Sequence, residues 1–500
     1  MKKITQSLVI VMALVFSSIA IAQSTVSGTV IDSDINGPLP SATIIEKGTS
    51  NGTTSDFDGN FTLTTQSSSG EIEISYVGYA TQTIAFSGDE NVGNIVLNAD
   101  NSLEEVIIVG TGVIDIAEAR ATPVAVSTIR GKDIQLKAAG NVEFGESMKN
   151  TPSIYVSSQA GGFGDSQIFL RGFDDTNTAY LLNGQPINSM EDGRMFWSNW
   201  SGMSDVANAV QVQRGLGSSK LAISSVGGTV NIVSKSTDQK KGGFVRFMGG
   251  NDSYMKGSLS YNSGVNDKGW AFSVFVDHWQ AHRKYSIGTA GQGQNYLFSV
   301  GYKPNERNTF NFLITGAPQW HDQNFSEDLE FYEEYGEKAN DNSGFYEGER
   351  FSERRNFYHK PVANLNWDWK INEALDLSTV LYASWGRGGG TGNLGRGRLR
   401  NEDVGVFGLN EREINFDAIE ANNIATADAN GNGNFGDSYL RRASMNNHNW
   451  YGLLSNLNYE SDDNWSLNAG FDARTYNGIH FRQLVNTFGL NGYVDNFRVP

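Results

Sequence analysis

Asn464-Trp465-Ser466-Leu467-Asn468-Ala469-Gly470-Phe471-Asp472-Ala473-Arg474 places its apolar side chains at odd numbers and its polar residues and glycine at even ones. A period of two is the mark of a strand with two unlike faces. The alternation recurs in Ala363–Lys370, in Tyr296-x-Phe298-x-Val300-x-Tyr302 and in Phe310-x-Phe312-x-Ile314. Nine such strands are read: 243–249, 254–262, 269–279, 295–303, 308–316, 362–370, 376–386, 448–459 and 465–475. Their connections take turns. Short ones fall at 263–268, 304–307, 371–375 and 460–464; the others, after a brief first link at 250–253, are long, at 280–294, 317–361 and 387–447. A soluble sandwich has no reason to keep that parity, whereas a membrane barrel has short turns on one side and long loops on the other. The pattern predicts apolar side chains against lipid and polar ones toward a watery or filled lumen.

Composition agrees. The 500 residues include 57 Gly, 28 Phe, 19 Tyr and 10 Trp but only 9 Pro, which suits short strands and many turns. With no cysteine, disulfides, thiolate metal sites and cysteine nucleophiles are excluded together. A net charge of −17 argues against a nucleic-acid partner, which needs clustered Lys and Arg. Lys2 and Lys3, the apolar run Leu8–Phe16 and Ala20-Ile21-Ala22 describe a secretory signal peptide cleaved near Ala22. The run is too short to cross the bilayer as a helix, which takes about 20 residues. Membrane residence therefore requires a closed barrel.

Between Gln23 and Ala99 six or seven short strands are separated by Asn36-Gly37-Pro38, Asn51-Gly52 and Asp58-Gly59, turn chemistry that predicts a small β-sandwich. Val26-x-Gly28-x-Val30-x-Asp32, Pro38–Ala42, Gly52-Thr53-Thr54-x-Asp56-x-Asp58-Gly59-x-Phe61 and Ser75–Tyr79 resemble the carboxypeptidase-regulatory-like domain that precedes many outer-membrane receptors of the Bacteroidetes type. Despite its name, that module is not catalytic. Asp56 and Asp58 read as caps of a tight turn rather than as calcium ligands.

Further on, Thr122-Pro123-Val124-Ala125-Val126, Asn150–Ile154, Ile168-Phe169-Leu170-Arg171-Gly172, Tyr180-Leu181-Leu182-Asn183-Gly184-Gln185-Pro186, Val210–Gly215 and Gly227–Lys235 follow one another as in the plug domain of TonB-dependent receptors, which this stretch resembles. The residues make sense on their own terms too. Asn183-Gly184 after a strand is a type I′ hairpin turn, Gly227-Gly228 lets backbone pass close to a packed wall, and Arg171-Gly172 and Arg214-Gly215 carry cations that are expected to face buried carboxylates of a surrounding barrel. Leu103, Glu104, Glu105, Val106, Ile107, Ile108 and Val109, between the two modules, look like a TonB box. In that reading the extended segment adds a strand to the sheet of a periplasmic TonB-type energy-coupling partner.

The expected architecture is mainly β: signal peptide 1–22, regulatory-like β-sandwich 23–100, TonB-box linker 101–118, mixed α/β plug 119–236, and 237–500 as part of an antiparallel transmembrane β-barrel. Plugged transporters use about 22 strands, and the residues after Ser236 do not suffice for that number once the long loops are counted. The incomplete barrel is thus expected to hold nine strands of a longer receptor. The resemblance implies energised uptake of a scarce nutrient (siderophore, cobalamin, glycan or peptide) from outside, with outer-membrane lipid around the barrel. The alternatives are a glycan importer of the SusC type with a surface-lipoprotein lid, or a non-energised surface-binding or adhesin barrel. Trp197, Trp200 and Arg194 are the candidate ligand contacts, weighed against a role of the tryptophans in packing plug against barrel. The acidic run 322–349 reads as a solvated face, and the Arg387-Gly388-Gly389-Gly390 loop with Arg396, Arg398 and Arg400 as simply mobile, weighed against a grip on anionic or glycan ligands. Asp428–Gly433 begins like a calcium loop, but Tyr439 stands where an EF-hand needs Glu. No metal or cofactor is expected. His278 and His282 lack the Glu and the helix of a zinc hydrolase, Gly215–Lys220 lacks the order of a phosphate loop, and no serine sits in a nucleophile elbow. Enzyme chemistry is not expected.

Overall fold

The computed structural model describes residues 24–33, 37–49, 51–76, 79, 81–98, 126–138, 140–164, 166–215, 225–408, 411–461 and 465–495. The signal-peptide reading, the TonB-box residues 103–109 and Thr122–Ala125 lie outside them. The chain forms two compact units, residues 1–107 and 108–500.

The first unit has seven strands: β1 (Ser24–Asp32), β2 (Thr43–Glu46), β3 (Gly52–Thr54), β4 (Asn60–Thr65), β5 (Ser69–Ser75), β6 (Gln82–Ser87) and β7 (Glu90–Leu97). They make two sheets, β4-β1-β7 and β3-β2-β5-β6. Alternate residues of both, among them Val26, Val30, Ile44, Phe61, Leu63, Ile72 and Ile74, meet in one core, so each strand shows one dry face and one wet one. Asp56 Oδ1 accepts from the backbone N–H of Asp58 (3.0 Å) and of Asn60 (2.8 Å), the Asx-capped turn that the sequence suggested.

In the second unit the plug comes first: β8 (Val126–Arg130), α1 (Gly131–Lys137), β9 (Ile154–Ser158), β10 (Ser166–Leu170), β11 (Thr178–Leu182), β12 (Gln185–Pro186), α2 (Met203–Val206), β13 (Ala209–Arg214) and β14 (Gly228–Val233). Five of the strands form the sheet β12-β11-β14-β13-β8, in which β11 and β14 run parallel. Asn183 and Gly184 both take positive φ, 49° and 84°, and close the hairpin as expected. At Gly228, φ is 143° and a Cβ would stand 2.2 Å from Gln213 O, so the packed wall is the neighbouring strand itself.

Strands β15 (Gly242–Gly249), β16 (Met255–Asn262), β17 (Trp270–Ala281), β18 (Gly291–Asn305), β19 (Asn308–Gly316), β20 (Gln319–Asp322), β21 (Ser343–Tyr346), β22 (Glu349–Ser352), β23 (Arg355–His359), β24 (Val362–Asn372), β25 (Leu375–Leu394), β26 (Ile414–Asn415), β27 (Asn432–Asn434), β28 (Leu440–Glu460), β29 (Ser466–Asn486) and β30 (Gly492–Val494) follow, with α3 (Leu329–Tyr335) and α4 (Phe416–Thr426) in the long connections. The wall is one antiparallel sheet in which successive long strands pair, β15 through β19, then β24, β25, β28 and β29. All nine strands read from the sequence are present. Ala317-Pro318 separates β19 from β20, and Lys360-Pro361 separates β23 from β24, as expected where proline has no N–H to give a ladder.

The faces are inverted relative to a soluble protein. Val245, Phe247, Leu259, Phe272, Val276, Phe298, Leu365 and Leu381 point outward and are exposed, while Ser258, Ser260, Ser273, Asp277, Asn295, Ser299, Asn311 and Asn364 on the other face are buried. Exposed apolar and buried polar side chains in strict alternation are what a lipid-facing barrel wall presents. Among the described residues no helix is long and apolar enough to cross a membrane.

The long loops are shorter than the sequence suggested, because their strands run on. At 20 and 21 residues, β25, β28 and β29 reach roughly 70 Å at about 3.4 Å per residue, far beyond an apolar band of about 25 Å. The Gly388–Gly390 stretch is strand, not a mobile loop: Gly389 pairs Met445 and Gly390 pairs Ser444. A Cβ at Gly388 or Gly389 would meet the backbone oxygen of Phe357 or Ser444 at 2.1 and 2.3 Å. Glycine serves close approach here, not flexibility.

Candidate functional site

The plug is fixed to the wall through the wall's polar face. Ser201 Oγ donates to Asn295 Oδ1 (2.7 Å), Asn366 Nδ2 donates to the carbonyl of Asn183 (2.6 Å), and Lys235 pairs with Asp368 (2.7 Å). Asp205, with its side chain 4% exposed, takes Arg246 (2.9 Å) and Lys256 (2.5 Å), and Lys256 also reaches Asp277 (3.1 Å). Glu143 meets Lys284 at 3.3 Å. Burial pushes the Glu143 carboxyl up, but the Lys284 charge and hydrogen bonds from Ser166 and Gly164 outweigh it and hold the group below its usual range. Apolar contact completes the seam: Phe275, Leu297, Leu313 and Val362 of the wall share one cluster with Tyr180, Trp197, Trp200, Val210 and Ile232 of the plug.

Two of these ties are acid on the plug and base on the wall, the reverse of the expectation for Arg171 and Arg214. Arg171 is exposed on a φ of 56°, its guanidinium lying against Gly215, where a Cβ would stand 2.4 Å from Nη1. Arg214 donates to Ser127 Oγ within the plug (3.1 Å). Both sit at the ends of β10 and β13, and the contacts described for them lie within the plug. Gly172 and Gly215 have φ of 82° and 79°, and Gly227 packs against Phe173 and Thr178.

One plug loop is held by a single amide. Asn188 Oδ1 accepts from Tyr180 N (2.8 Å), and Nδ2 donates to the carbonyls of Asp175, Thr178 and Gly193 (3.1, 3.1 and 2.8 Å). Asp175 also accepts from Met195 N (2.8 Å). The loop then enters a 3₁₀ turn, Trp197–Trp200. Trp197 and Trp200 are each 2% exposed. Trp197 stacks on Phe144 (centroids 5.5 Å apart) and meets Tyr180 edge-on at 5.2 Å. Both rings pack plug against wall, in one cluster with Phe275, Leu297, Leu313 and Val362, and around the cavity next to this loop it is Ser198 and Asn199, with Phe196, that line open space. Arg194 is exposed, with its backbone N–H on Asp192 Oδ1 (3.2 Å).

That open space is a cavity of about 240 Å³ between this loop and the wall, lined on the plug side by Glu191, Asp192, Phe196 and Asn199 and on the wall side by Tyr358, Lys360, His448, Trp450, Tyr476 and His480. Glu191 Oε1 accepts from Tyr476 OH (2.9 Å) and meets His480 Nε2 at 2.8 Å. Tyr476 stacks on His448 at 5.5 Å, and Tyr358 OH lies 3.2 Å from His448 Nδ1. None of the wall residues was singled out as a ligand contact from sequence; they come from three strands and the Lys360-Pro361 break, and only register brings them together.

Outside the wall, the described residues of the connections 323–354 and 395–439 fold into a packed cap in which Ile414, Phe416, Ile419 and Tyr439 are buried together with Phe488 from beyond β29. Carboxylates of the first connection pair with arginines of the second: Arg398 holds Glu353 (2.6 Å), and Arg400 and Arg412 hold Asp341 of the acidic run (2.6 and 3.1 Å). Arg396 lies over Phe435, 5.0 Å from the ring centroid. The anion-gripping arginines are thus already committed. Burial, then the Glu353 carboxylate, lift the Tyr439 phenol well above its usual range. In 428–433 Asp428 Oδ1 caps a turn through Asn430 N and Asn432 N, both at 2.8 Å.

Comparison with known proteins bears on these modules. Residues 26–108 match the CarboxypepD_reg-like domain and residues 118–229 the TonB-dependent Receptor Plug Domain. TonB-dependent receptor P39 of Formosa agariphila is 30% identical over 193 residues, 37% of this chain and 18% of that protein. TonB-dependent receptor SusC of Bacteroides thetaiotaomicron is 30% identical over 174 residues, 34% of this chain and 17% of that protein. Among solved structures, the ferric citrate transporter FecA in its unliganded form aligns with a TM-score of 0.53 at 15% identity over 75% of this chain and 52% of that one, a likeness of fold. The chain spans about a fifth of the length of the first curated relatives it matches. The chain thus carries a CarboxypepD_reg-like domain followed by a TonB-dependent Receptor Plug Domain, and over these stretches and in fold it is similar to TonB-dependent receptors.

Proposed function

We propose that this chain carries the binding and coupling parts of an energised outer-membrane importer, exported by its signal peptide, with domain limits at residues 22, 100, 118 and 236. The observation that carries the reading is a folded plug tied to the lumen face of a wall whose other face is apolar. In this account the plug blocks passive flow, and the cavity beside the 189–200 loop takes a nutrient from outside. A periplasmic TonB-type partner engages residues 103–109 by strand addition and pulls. Local unfolding of the least stable part of the plug then opens a path. With no ATP at the outer membrane, the work arrives mechanically. Relatives named for a ferric siderophore and for vitamin B12 support a nutrient substrate without choosing among classes. The likeness to SusC supports a second reading, a glycan importer with a lipoprotein lid.

Deletion of residues 103–112 is the test. Uptake is expected to stop while ligand binding at the cell surface survives. Unchanged uptake would remove the energised reading and leave a passive or adhesive barrel. Because the match to the regulatory-like domain runs to residue 108, loss of folded protein on deletion would instead mark the segment as the last strand of the first unit.

A further inference from the structure

Lys360 stands out among the cavity's residues. It is 8% exposed and lines the cavity. Its ammonium lies 5.6 Å from the ring centroid of Trp200 and 5.8 Å from that of Trp450. Among the described residues it makes no ion pair and no hydrogen bond. Elsewhere along the seam the buried lysines have carboxylates: Lys235 has Asp368, Lys256 has Asp205 and Asp277, Lys284 has Glu143. A buried charge is costly unless paired, and two aromatic faces offset that cost only in part. The ammonium therefore has no contacting counter-ion among the described residues, Asp192 acting on it only at longer range, and an anion entering the cavity would supply one.

The same cavity has an opposite pole. Glu191 and Asp192 are exposed along its plug side, and Glu191 Oε1 is steadied by Tyr476 and His480 while Oε2 has no partner in these contacts. Two carboxylates in the cavity lining repel a ligand that is only anionic and attract one with a cationic group as well. The volume of about 240 Å³ is below the roughly 300–1,000 Å³ of clefts that take drug-sized ligands.

We propose that this cavity holds a small zwitterion of the short-peptide class, its carboxylate on Lys360 between Trp200 and Trp450 and its ammonium toward Glu191 and Asp192. The proposal rests on the cavity being the nutrient site.

The test is equilibrium binding to the purified full receptor, read by tryptophan fluorescence, with three probes: trialanine, trialanine C-terminal amide and N-acetyl-trialanine. Trialanine is expected to bind at least tenfold more tightly than either derivative. Lys360→Met should abolish the preference over the amide alone, Glu191→Gln should narrow the preference over the acetylated probe, and Lys360→Arg should keep the first preference. Equal binding of trialanine and its amide, or no trialanine binding at millimolar concentration, overturns the proposal on the parent protein alone, whatever the variants do. Equal binding of the acetylated probe overturns the zwitterion in favour of a simple anion. No coupling partner is present, so these failures leave the import reading standing, whereas intact binding with uptake indifferent to deletion of 103–112 defeats that reading by itself.

Discussion

Asp205→Asn is expected to loosen the plug by about 1.5–3 kcal/mol, the worth of hydrogen bonds to a charged group in a cluster whose Lys256 keeps a second carboxylate. In the parent, Asp205 divides its two oxygens between Arg246 at 2.9 Å and Lys256 at 2.5 Å, and its side chain is 4% exposed. The substitution keeps the shape and removes the charge. Lys256 retains Asp277 at 3.1 Å, so the wall itself stays folded and the penalty falls on docking. In planar bilayers the variant should begin to conduct at urea concentrations at which the parent stays closed. Asp192→Asn, at an exposed carboxylate, is the control and should shift the midpoint by no more than about 0.5 kcal/mol. Equal midpoints for the two variants would mean that the Asp205 cluster does not hold the plug.

Glu353→Gln should have an effect of similar size in a different place. The Glu353 side chain is fully buried, with Arg398 Nη2 at 2.6 Å from both oxygens, Arg354 Nε at 3.1 Å and Tyr439 OH at 2.8 Å. Its backbone oxygen accepts from Thr391 Oγ1 (2.6 Å) and Arg441 Nε (3.2 Å). One residue thus joins both long connections to the top of β25 and β28. Neutralising it leaves the partly exposed Arg354 and Arg398 guanidinium groups short of a counter-charge, again about 1.5–3 kcal/mol, and the cap should open without the wall. Trypsin should cut after Arg396 and Arg398 at a rate raised by orders of magnitude, with amide protection lost over 395–439 and kept over 362–372. Loss of protection in both regions would show instead that cap and wall unfold as one.

How much of this was legible in the sequence follows from how local each signal is. The wall strands were, because lipid outside and polar lumen inside impose a period of two on every one. So was the Asn183-Gly184 turn, a two-residue event. The 388–390 glycines were misread because flexibility and close approach call for the same residue, and only the neighbouring strand decides. Trp197 and Trp200 sit in a polar stretch, and nothing nearby reveals that Phe144 and Tyr180 will enclose them. The cavity was not legible at all: Lys360 sits in the break between β23 and β24, Trp200 in a plug 3₁₀ turn and Trp450 on β28, and only the tertiary fold brings the three together.

Cross-linking of Ser201→Cys with Asn295→Cys in isolated outer membranes tests the central claim most directly, since a chain without cysteine gives no background. The parent side chains touch at 2.7 Å, one on the plug and one on the wall. A plug seated inside a membrane wall predicts near-complete intramolecular cross-linking by a short thiol reagent in that membrane fraction. Recovery of the protein as a soluble species with the two thiols unlinked would contradict it.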